Sequence, residues 1–186
     1  VLTSPFSFFA SASSILRTGA RVVFADVDPH TMNLDPAAIE DAIARAGDGL
    51  RGLVPVHLFG RIAPMTELGP LARRHGLWVV EDAAQAVGAR HGDTRAGAFG
   101  VAGCLSFYPT KNLGALGAGG MVLTSDDRIA ARIRQERHQG QTAPYEHASL
   151  GMCSRLDAIQ AAALAAKLRH LDAWNAARRR IAGWYA

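Results

Sequence analysis

Lys111 and Asp82 are the two residues of this chain whose types and surroundings most directly suggest chemistry. Lys111 lies between an apolar strand end and a Gly-rich run, and Asp82 follows the apolar segment 77–80. A lysine amine can form a Schiff base with an aldehyde, and a carboxylate can keep the nitrogen of a pyridine ring protonated. A pyridoxal 5'-phosphate (PLP) site requires both groups. The sequence therefore predicts Lys111 and Asp82 as the catalytic pair of a PLP site.

Further polar residues and glycines lie close to this pair in the sequence. Ser106, at the end of a predicted strand, can donate its hydroxyl to a phosphate, and Gln85 could reach a ring oxygen of the cofactor. Glycines after the lysine would allow the backbone to approach a ligand closely. These glycines are Gly117, Gly119 and Gly120.

Each of these residues also has an ordinary structural interpretation. A lysine near glycines is usually a solvated surface residue, and an acid after a strand often caps the next helix. Gln85 could be a polar residue of a turn. The combination of an amine, an acid and a hydroxyl around strand ends nevertheless favours a ligand site.

Alternating strands and helices must position these residues. Short apolar strands are predicted at 1–3, 21–25, 53–58 and 77–81, with helices at 5–18, 36–46 and 64–75 between them. Strands that are apolar almost throughout are typical of a parallel sheet covered on both faces. Ligands of such sheets bind beyond the carboxyl ends of the strands, and Asp82 directly follows one of those ends. We therefore expect an α/β fold with the site at that edge.

The pattern changes after Ala86. A turn at 91–94 joins two short extended pieces, strands follow at 101–107 and 120–124, and a charged helix begins at Asp126. A polar loop at 139–147 then leads into one long helix from Arg155 onward. The chain begins on a strand-like segment without a methionine and ends within this helix. We therefore expect it to be a fragment of a longer protein.

Composition argues against several other classes of protein. With 186 residues and 49% hydrophobic content, one substantial core and one domain are expected. The net charge of +4 comes largely from the C-terminal helix, and no stripe of basic and aromatic residues suggests nucleic-acid binding. Cys104 and Cys153 lack the spacing of metal ligands, so no metal site is expected. No apolar run reaches membrane length, and we expect a cytoplasmic protein without a membrane segment.

Several segments, taken in order along the chain, resemble those of one known family. Any one of them is a weak signal, but together they extend over essentially the whole chain. They make it similar to the DegT/DnrJ/EryC1/StrS family of PLP-dependent sugar aminotransferases, within the fold-type I aminotransferases. The segments are DVDP (26–29), PVHLFG (55–60), EDAAQAVGA (81–89), FYPTKNL (107–113) and RLDAIQAA (155–162).

The resemblance assigns roles to individual residues. It implies that Lys111 is the Schiff-base lysine, that Asp82 is the partner of the pyridine nitrogen, and that Gln85 lies near the ring hydroxyl. Ser106 is expected on the phosphate. The ring of Phe8 is expected to stack on the cofactor, although from sequence alone Phe8 would be a core residue.

For the fold, the resemblance implies the large domain of a fold-type I PLP-dependent transferase, with a mostly parallel central sheet and helices on both faces. Residues 1–186 would be the central part of that domain, and the helix at 155–186 would lead toward a C-terminal small domain outside the chain. The family's N-terminal Ser/Thr-Gly-Thr phosphate loop would precede Val1. His57 also matches a family motif, and we interpret it as a core or supporting histidine rather than a catalyst.

The chain departs from the family pattern at two positions. Cys153 stands where the family commonly has an asparagine that reaches the partner's phosphate across a dimer interface, and cysteine is a poor hydrogen-bond donor. Ala118 stands where an acid is common. We expect the Cys153 contact to be impaired, and we expect the fragment alone to bind PLP poorly.

The resemblance implies a transaminase that takes an amino group, with glutamate as the expected donor, and passes it to a keto-sugar carried on a nucleotide. It also implies a homodimer with the active site at the interface.

One alternative is a sugar dehydratase of the same family; its deoxygenating members replace the lysine with histidine, so Lys111 argues against that branch. Another is a catalytically silent relative with a regulatory role. A nucleotide-binding α/β domain would need a Gly-rich turn after its first strand, which is missing.

Overall fold

A six-stranded sheet organises the chain in the computed structural model, which describes residues 1–185. Its strands run in the spatial order β2-β1-β3-β4-β7-β8, and all neighbours pair in parallel except β7 with β8. The predicted α/β class with a mostly parallel sheet is therefore confirmed. The strands of this sheet are β1 (Leu2–Thr3), β2 (Val23–Phe24), β3 (Gly52–Val54), β4 (Trp78–Asp82), β7 (Ala102–Ser106) and β8 (Gly120–Leu123).

Two small antiparallel ribbons lie outside the central sheet. One pairs β5 (Arg90–His91) with β6 (Thr94–Arg95), as the predicted turn at 91–94 requires. The other pairs β9 (Gln141–Ala143) with β10 (Glu146–His147). The prediction of a plain polar loop at 139–147 was therefore wrong. Its polar composition concealed a hairpin whose turn holds Tyr145 at a positive φ of 68°.

Within the described residues, six α-helices connect or follow the strands. Two of them begin at aspartate caps: Asp35 accepts from the amide of Ala37 at the start of the second helix, and Asp126 accepts from two amides at the start of the fourth. The helices are α1 (Phe9–Arg17), α2 (Pro36–Ala46), α3 (Met65–Arg74), α4 (Asp127–Glu136), α5 (Ala158–Leu168) and α6 (Leu171–Ala182). Among residues 1–185, no helix combines the length and apolar character needed to cross a membrane.

The long helix predicted from Arg155 onward is two helices, α5 and α6. They are separated at Arg169 and His170, where the amide of His170 bonds to the carbonyl of Lys167 in a tighter turn. No glycine or proline marks this break. Contacts with residues distant in sequence hold α6 in its orientation. Leu171 and Leu164 are buried in one hydrophobic cluster with Val87, Phe107 and Leu113.

The core between the sheet and helices α2 and α3 is built from aliphatic side chains. Leu2, Leu53, Ile39 and Leu68 are completely buried there. The predicted strand at 53–58 is shorter in the structure, because Pro55 has no amide to donate after Val54. Pairing resumes one residue later in a parallel bridge between Val56 and Asp82. The extended segment therefore still reaches the carboxyl edge of the sheet.

Gly103 in β7 allows a close crossing of the chain, and this contact generates a prediction. A Cβ on Gly103 would lie 2.6 Å from the carbonyl oxygen of Gly97 and closer still to its Cα. Both atoms belong to backbone and cannot move aside cheaply. In the full-length protein, Gly103→Ala should therefore lower the free energy of unfolding, measured in urea, by roughly 2–3 kcal/mol.

Gly49 provides the matched control for Gly103. A Cβ there would meet no atom within 4 Å, and its φ is not positive. Gly49→Ala should leave stability unchanged or raise it by up to about 1 kcal/mol. Equal stability of the Gly103→Ala and Gly49→Ala proteins would show that the crossing is looser than described.

Candidate active site

A cavity of about 780 Å³ opens at the carboxyl ends of β3, β4 and β7. Its wall includes Val54 and Val56 from the β3 segment, Asp82 from β4, and residues 104–106 from β7. The other side is formed by the start of α1 and the turn after β7. Every residue that the sequence assigned to the site lines this one cavity: Phe8, Asp82, Gln85, Ser106 and Lys111.

Asp82 is held rigidly at the end of β4. Its amide donates to the carbonyl of Pro55 at 2.9 Å, and its carbonyl accepts from the amide of His57 at 3.0 Å. One carboxylate oxygen, Oδ2, accepts from the Ser11 hydroxyl at 2.6 Å, and the other, Oδ1, accepts from the amide of Ala84 at 3.1 Å. A carboxylate has about four lone-pair positions, so acceptor capacity is left for a ligand. The local capping bond and a ligand role are compatible.

Lys111 lies in the turn that follows β7. Its amide donates to the carbonyl of Tyr108 at 2.9 Å, and its side chain is half-buried on the cavity wall. Across residues 1–185 its amine forms no ion pair and no hydrogen bond. Ser106 Oγ accepts from the amide of Tyr108 at 3.2 Å, so its own proton is available to an acceptor in the cavity. Both groups can engage a ligand without breaking a protein contact.

Phe8 and Gln85 complete the predicted set. Phe8 is the residue before α1, and 74% of its surface is exposed, so its interpretation as a core residue was wrong. Its aromatic ring lines the cavity and is available for stacking. Gln85 is half-buried, and its amide makes no hydrogen bond to any other residue of 1–185. It can therefore offer two donors and an acceptor to a ligand.

The glycines after Lys111 make room for neighbouring protein side chains. A Cβ on Gly117 would meet the side chain of Gln160, and one on Gly119 would meet Leu156. Gln160 Oε1 accepts from the amides of Leu116 and Gly117 at 2.8 and 3.1 Å, so α5 holds this loop in place. Packing against α5 and β7 accounts for these glycines, and none of the three lines the cavity; their close approach to a ligand stays a prediction.

Asn175 on α6 fastens the segment that carries Lys111, and sequence reasoning missed it. Its Oδ1 accepts from Nδ2 of Asn112 at 2.7 Å, and its own Nδ2 donates to the carbonyl of Val87 at 3.0 Å. The side chain is buried. An asparagine on a helix with many charges looks like a surface residue, and no local pattern reveals that both of its partners are more than sixty positions away.

His57 and Glu81 form a completely buried pair behind the cavity. Nδ1 of His57 accepts from the amide of Ala63 at 3.1 Å, so the proton lies on Nε2, which donates to Glu81 Oε2 at 2.9 Å. Glu81 also accepts from the amides of Gly97, Phe99 and Gly100 at 2.6–2.7 Å. His57 is thus a core histidine that supports the site, as interpreted from the sequence.

The electrostatics around the cavity follow from these contacts. Burial on its own would raise the pKa of the Glu81 carboxyl, but the hydrogen bonds from His57 and from the Gly100 and Gly97 amides outweigh it and hold the pKa below its ordinary value. Burial, together with the charges of Asp82 and Glu81, raises the pKa of the Cys104 thiol. Cys104 is the register partner of Asp82 and lines the cavity as a neutral thiol at ordinary pH.

The two positions that depart from the family pattern both lie at the surface. Cys153 is exposed and pairs its backbone with His138, and Arg155 Nη2 approaches its sulfur at 3.5 Å. Ala118 is exposed in the loop before β8. Neither residue lines the cavity at the carboxyl edge. In residues 1–185, no group of three or more His, Cys, Asp or Glu side chains is arranged to hold a metal.

A family model matches the chain over residues 1–186, that of the DegT/DnrJ/EryC1/StrS aminotransferase family. The chain belongs to this family. Individual proteins are also similar in sequence to this chain. A protein named pleiotropic regulatory protein, from Geobacillus stearothermophilus, is 48% identical over 185 residues and is matched over 49% of its length. UDP-N-acetyl-3-dehydro-alpha-D-glucosamine 3-aminotransferase from Acidithiobacillus ferrooxidans is 46% identical over 186 residues and is matched over 50% of its length.

Solved structures of the DegT/DnrJ/EryC1/StrS family superpose closely on the chain. DesV of Streptomyces venezuelae, solved in complex with a ketimine intermediate, is 44% identical with a TM-score of 0.93, covering 99% of this chain and 49% of that one. An aminotransferase of the family from Brucella abortus is 38% identical with a TM-score of 0.92, covering 99% of this chain and 51% of the other. The chain thus spans about half the length of the curated relatives and solved structures that it matches.

The contacts of Asn175 predict that α6 controls the order of the lysine segment in this family member. Asn175→Ala leaves Asn112 and the carbonyl of Val87 without their partner, which should cost about 1–3 kcal/mol of stability. Hydrogen exchange of the full-length protein should speed up at amides of residues 108–114. Arg180→Ala, an exposed change on the same helix, should leave that exchange as it was. Unchanged protection in the Asn175→Ala protein would contradict the fastening role.

The lowered pKa of Glu81 predicts a pH-dependent contribution to stability. At neutral pH, Glu81→Gln turns an amide group toward backbone donors and should lower the free energy of unfolding by about 2–3 kcal/mol. Because the folded-state pKa lies below the unfolded value of 4.5, this contribution is complete above pH 4.5 and is lost as the pH falls through the folded-state pKa. The difference between the natural protein and the variant should shrink in acid.

Urea unfolding of the full-length protein at a series of pH values measures this difference. Glu146→Gln, an exposed change in β10, should alter stability by no more than about 0.5 kcal/mol at any pH. A Glu81→Gln difference that stays constant from neutral pH down to acid would show that the carboxylate is not the stabilising form.

Proposed function

We propose that the full-length protein is a PLP-dependent aminotransferase that transfers an amino group to a nucleotide-linked keto-sugar. The observation that carries the proposal is the convergence of Phe8, Asp82, Gln85, Ser106 and Lys111 on one cavity at the carboxyl edge of the sheet. These residues come from separate segments of the chain. If each residue had a separate structural role, nothing would require all five to line the same cavity.

The chemistry of the lining groups fits the parts of PLP. Lys111 offers an amine that has no partner within residues 1–185, for the aldehyde carbon. Asp82 has acceptor positions left for a pyridine N–H, and Ser106 has a hydroxyl proton for a phosphate oxygen. Gln85 offers amide donors for the ring oxygen, and Phe8 offers an exposed aromatic face. When bound, PLP supplies an electron sink for the carbanion formed at the substrate carbon.

Lys111 has two tasks in this proposal. Its amine would hold the cofactor at the aldehyde carbon until an amino donor takes its place. The freed Nζ of Lys111 would then act as general base and acid. It would take the proton from the substrate carbon and deliver it to the cofactor. Asp82 would keep a proton on the pyridine nitrogen. The backbone bonds at both sides of Asp82 keep its carboxylate in place during these steps.

The names of the relatives support the substrate class. The Acidithiobacillus protein is named for an amino transfer to a UDP-linked dehydro-sugar, and one from Streptomyces venezuelae, 45% identical, for a dTDP-linked amino sugar. We infer a nucleotide keto-sugar as acceptor, glutamate as donor, a homodimer with the site at its interface, and a cytoplasmic location. We also propose that residues 1–186 are the central part of the large domain, completed by segments on both sides.

Covalent trapping of the cofactor tests the role of Lys111. Residues 1–186 contain two lysines, and Lys167 is occupied by a bond to the carbonyl of Gly114. Full-length protein loaded with PLP and reduced with borohydride should carry the cofactor on the peptide that contains Lys111. Lys111→Ala should lose both the label on that peptide and the visible absorbance of the bound cofactor, and transamination should fall at least about 10³-fold. Lys167→Arg should keep all three.

The products of the reaction separate the three functions that the sequence left open. With glutamate and a panel of nucleotide keto-sugars, an aminotransferase gives 2-oxoglutarate and an amino sugar. A deoxygenating dehydratase would also oxidise the donor, because replacing a hydroxyl by hydrogen needs two electrons, but it would release ammonia and give a deoxygenated keto-sugar in place of the amino sugar. A silent regulatory relative would show no absorbance change with PLP. Turnover retained in the Lys111→Ala protein would refute the assignment of the lysine.

A further inference from the structure

Two serines near the start of α1 connect to the Asp82 carboxylate through a chain of short hydrogen bonds. Ser11 Oγ donates to Asp82 Oδ2 at 2.6 Å, and Ser7 Oγ lies 2.7 Å from Ser11 Oγ. Ser11 is 4% exposed, Ser7 is half-buried, and both line the cavity. Neither serine belongs to the set that the sequence assigned to the site.

The proton order along this chain follows from counting donors. A serine hydroxyl has one proton, and the Asp82 carboxylate has none to give. Ser11 therefore donates its only hydroxyl proton to Asp82, at a distance typical of a charge-assisted hydrogen bond. The bond between the two hydroxyls must then take its proton from Ser7. The chain runs in one direction, from Ser7 to Ser11 to Asp82.

Ser11 is the side chain that orients the carboxylate from across the fold. Oδ1 of Asp82 is held by the amide of Ala84, two residues away on the same segment. That bond alone would leave the carboxylate free to swing about the Oδ1 contact. Ser11, seventy-one positions away on α1, fixes the second oxygen and with it the plane of the group.

We propose that Ser11 is a positioning residue for Asp82 and that Ser7 fixes the direction of the Ser11 hydroxyl. The proposal rests on the proposed function, in which Asp82 partners the pyridine nitrogen. Ser11 does not touch the cofactor's reacting atoms; it acts through the carboxylate. The rival interpretation is a purely structural bond that ties α1 to β4.

A double-mutant cycle on the full-length protein separates the two interpretations. Ser11→Ala should weaken PLP binding, followed by absorbance titration of the cofactor-free protein, by about tenfold, because one charge-assisted hydrogen bond orients the partner of the ring nitrogen. Ser11→Thr, which keeps the hydroxyl, should stay within about twofold. Ser13→Ala, on the same helix but without a side-chain bond in residues 1–185, should bind normally. In an Asp82→Asn background, Ser11→Ala should add less than about a twofold loss.

The spectrum provides a second readout that a tie between α1 and β4 would not move. The pH profile of the bound cofactor's absorbance should shift in the same direction in Ser11→Ala and Asp82→Asn, and should be unchanged in Ser13→Ala. If Ser11→Ala is not recovered folded, Ser11→Cys takes its place, because a thiol has nearly the same shape and is a poor donor.

The outcomes distinguish the two levels of the proposal. If Asp82→Asn weakens PLP binding while Ser11→Ala leaves the affinity and the pH profile unchanged, the positioning role is wrong and the proposed function stands. If the loss in Ser11→Ala is the same with and without the Asp82 carboxylate, Ser11 is a structural tie only. If neither variant affects PLP binding, both the positioning role and the proposed role of Asp82 are overturned.

Discussion

Backbone pairing at Asp82 is the constraint on which the rest of the site depends. On one side, its amide and carbonyl bond to Pro55 and His57; on the other, Asp82 is in register with Cys104, and the next amide bonds to the Cys104 carbonyl. The end of β4 is therefore clamped between the β3 segment and β7. Since parallel strands end at the same edge, this clamp also brings the strand end before the Lys111 turn to the cavity that Asp82 lines. Lys111 and Asp82 reach the same cavity through a main-chain ladder rather than through a contact between them.

Two adjacent acids at this strand end have opposite surroundings because side chains alternate along a strand. Glu81 points to backbone amides and to His57, where four donors compensate its burial. Asp82 points to the cavity, where two donors leave capacity for a ligand. The carboxylate of Glu81 therefore stabilises the fold, whereas the carboxylate of Asp82 is available to a ligand. The buried pair behind the cavity ties the loops at 57–63 and 97–100 to the strand that carries Asp82, so the stability of the core supports the geometry of the site.

The sequence predicted the parts of the site that local pattern and family motifs encode. Asp82 after an apolar strand, Ser106 at the next strand end and Lys111 in the following turn all line the cavity, because the edge of a parallel sheet gathers strand ends. Ser11, Gln160 and Asn175 escaped prediction. Their partners lie 43 to 88 positions away, and a helical serine or amide with a distant partner has the same local pattern as a solvated one. The break between α5 and α6 escaped for the same reason, since tertiary contacts rather than a glycine or proline hold it.

The polar and apolar groups of the cavity differ in how much each could contribute to the free energy of ligand binding. A single neutral hydrogen bond contributes about 0.5–1.5 kcal/mol net, because it replaces a bond to water. Covering an exposed aromatic ring such as Phe8 contributes about 2–3 kcal/mol, and Val54, Val56 and Leu105 extend the apolar wall. An aromatic ligand would therefore gain most of its noncovalent affinity from the apolar surfaces. The polar groups would determine which way round it binds, so a carboxylate that is free to swing would weaken both the orientation and the affinity of the ring. This makes the hydroxyl of Ser11, which fixes the plane of Asp82, more important than its single bond suggests.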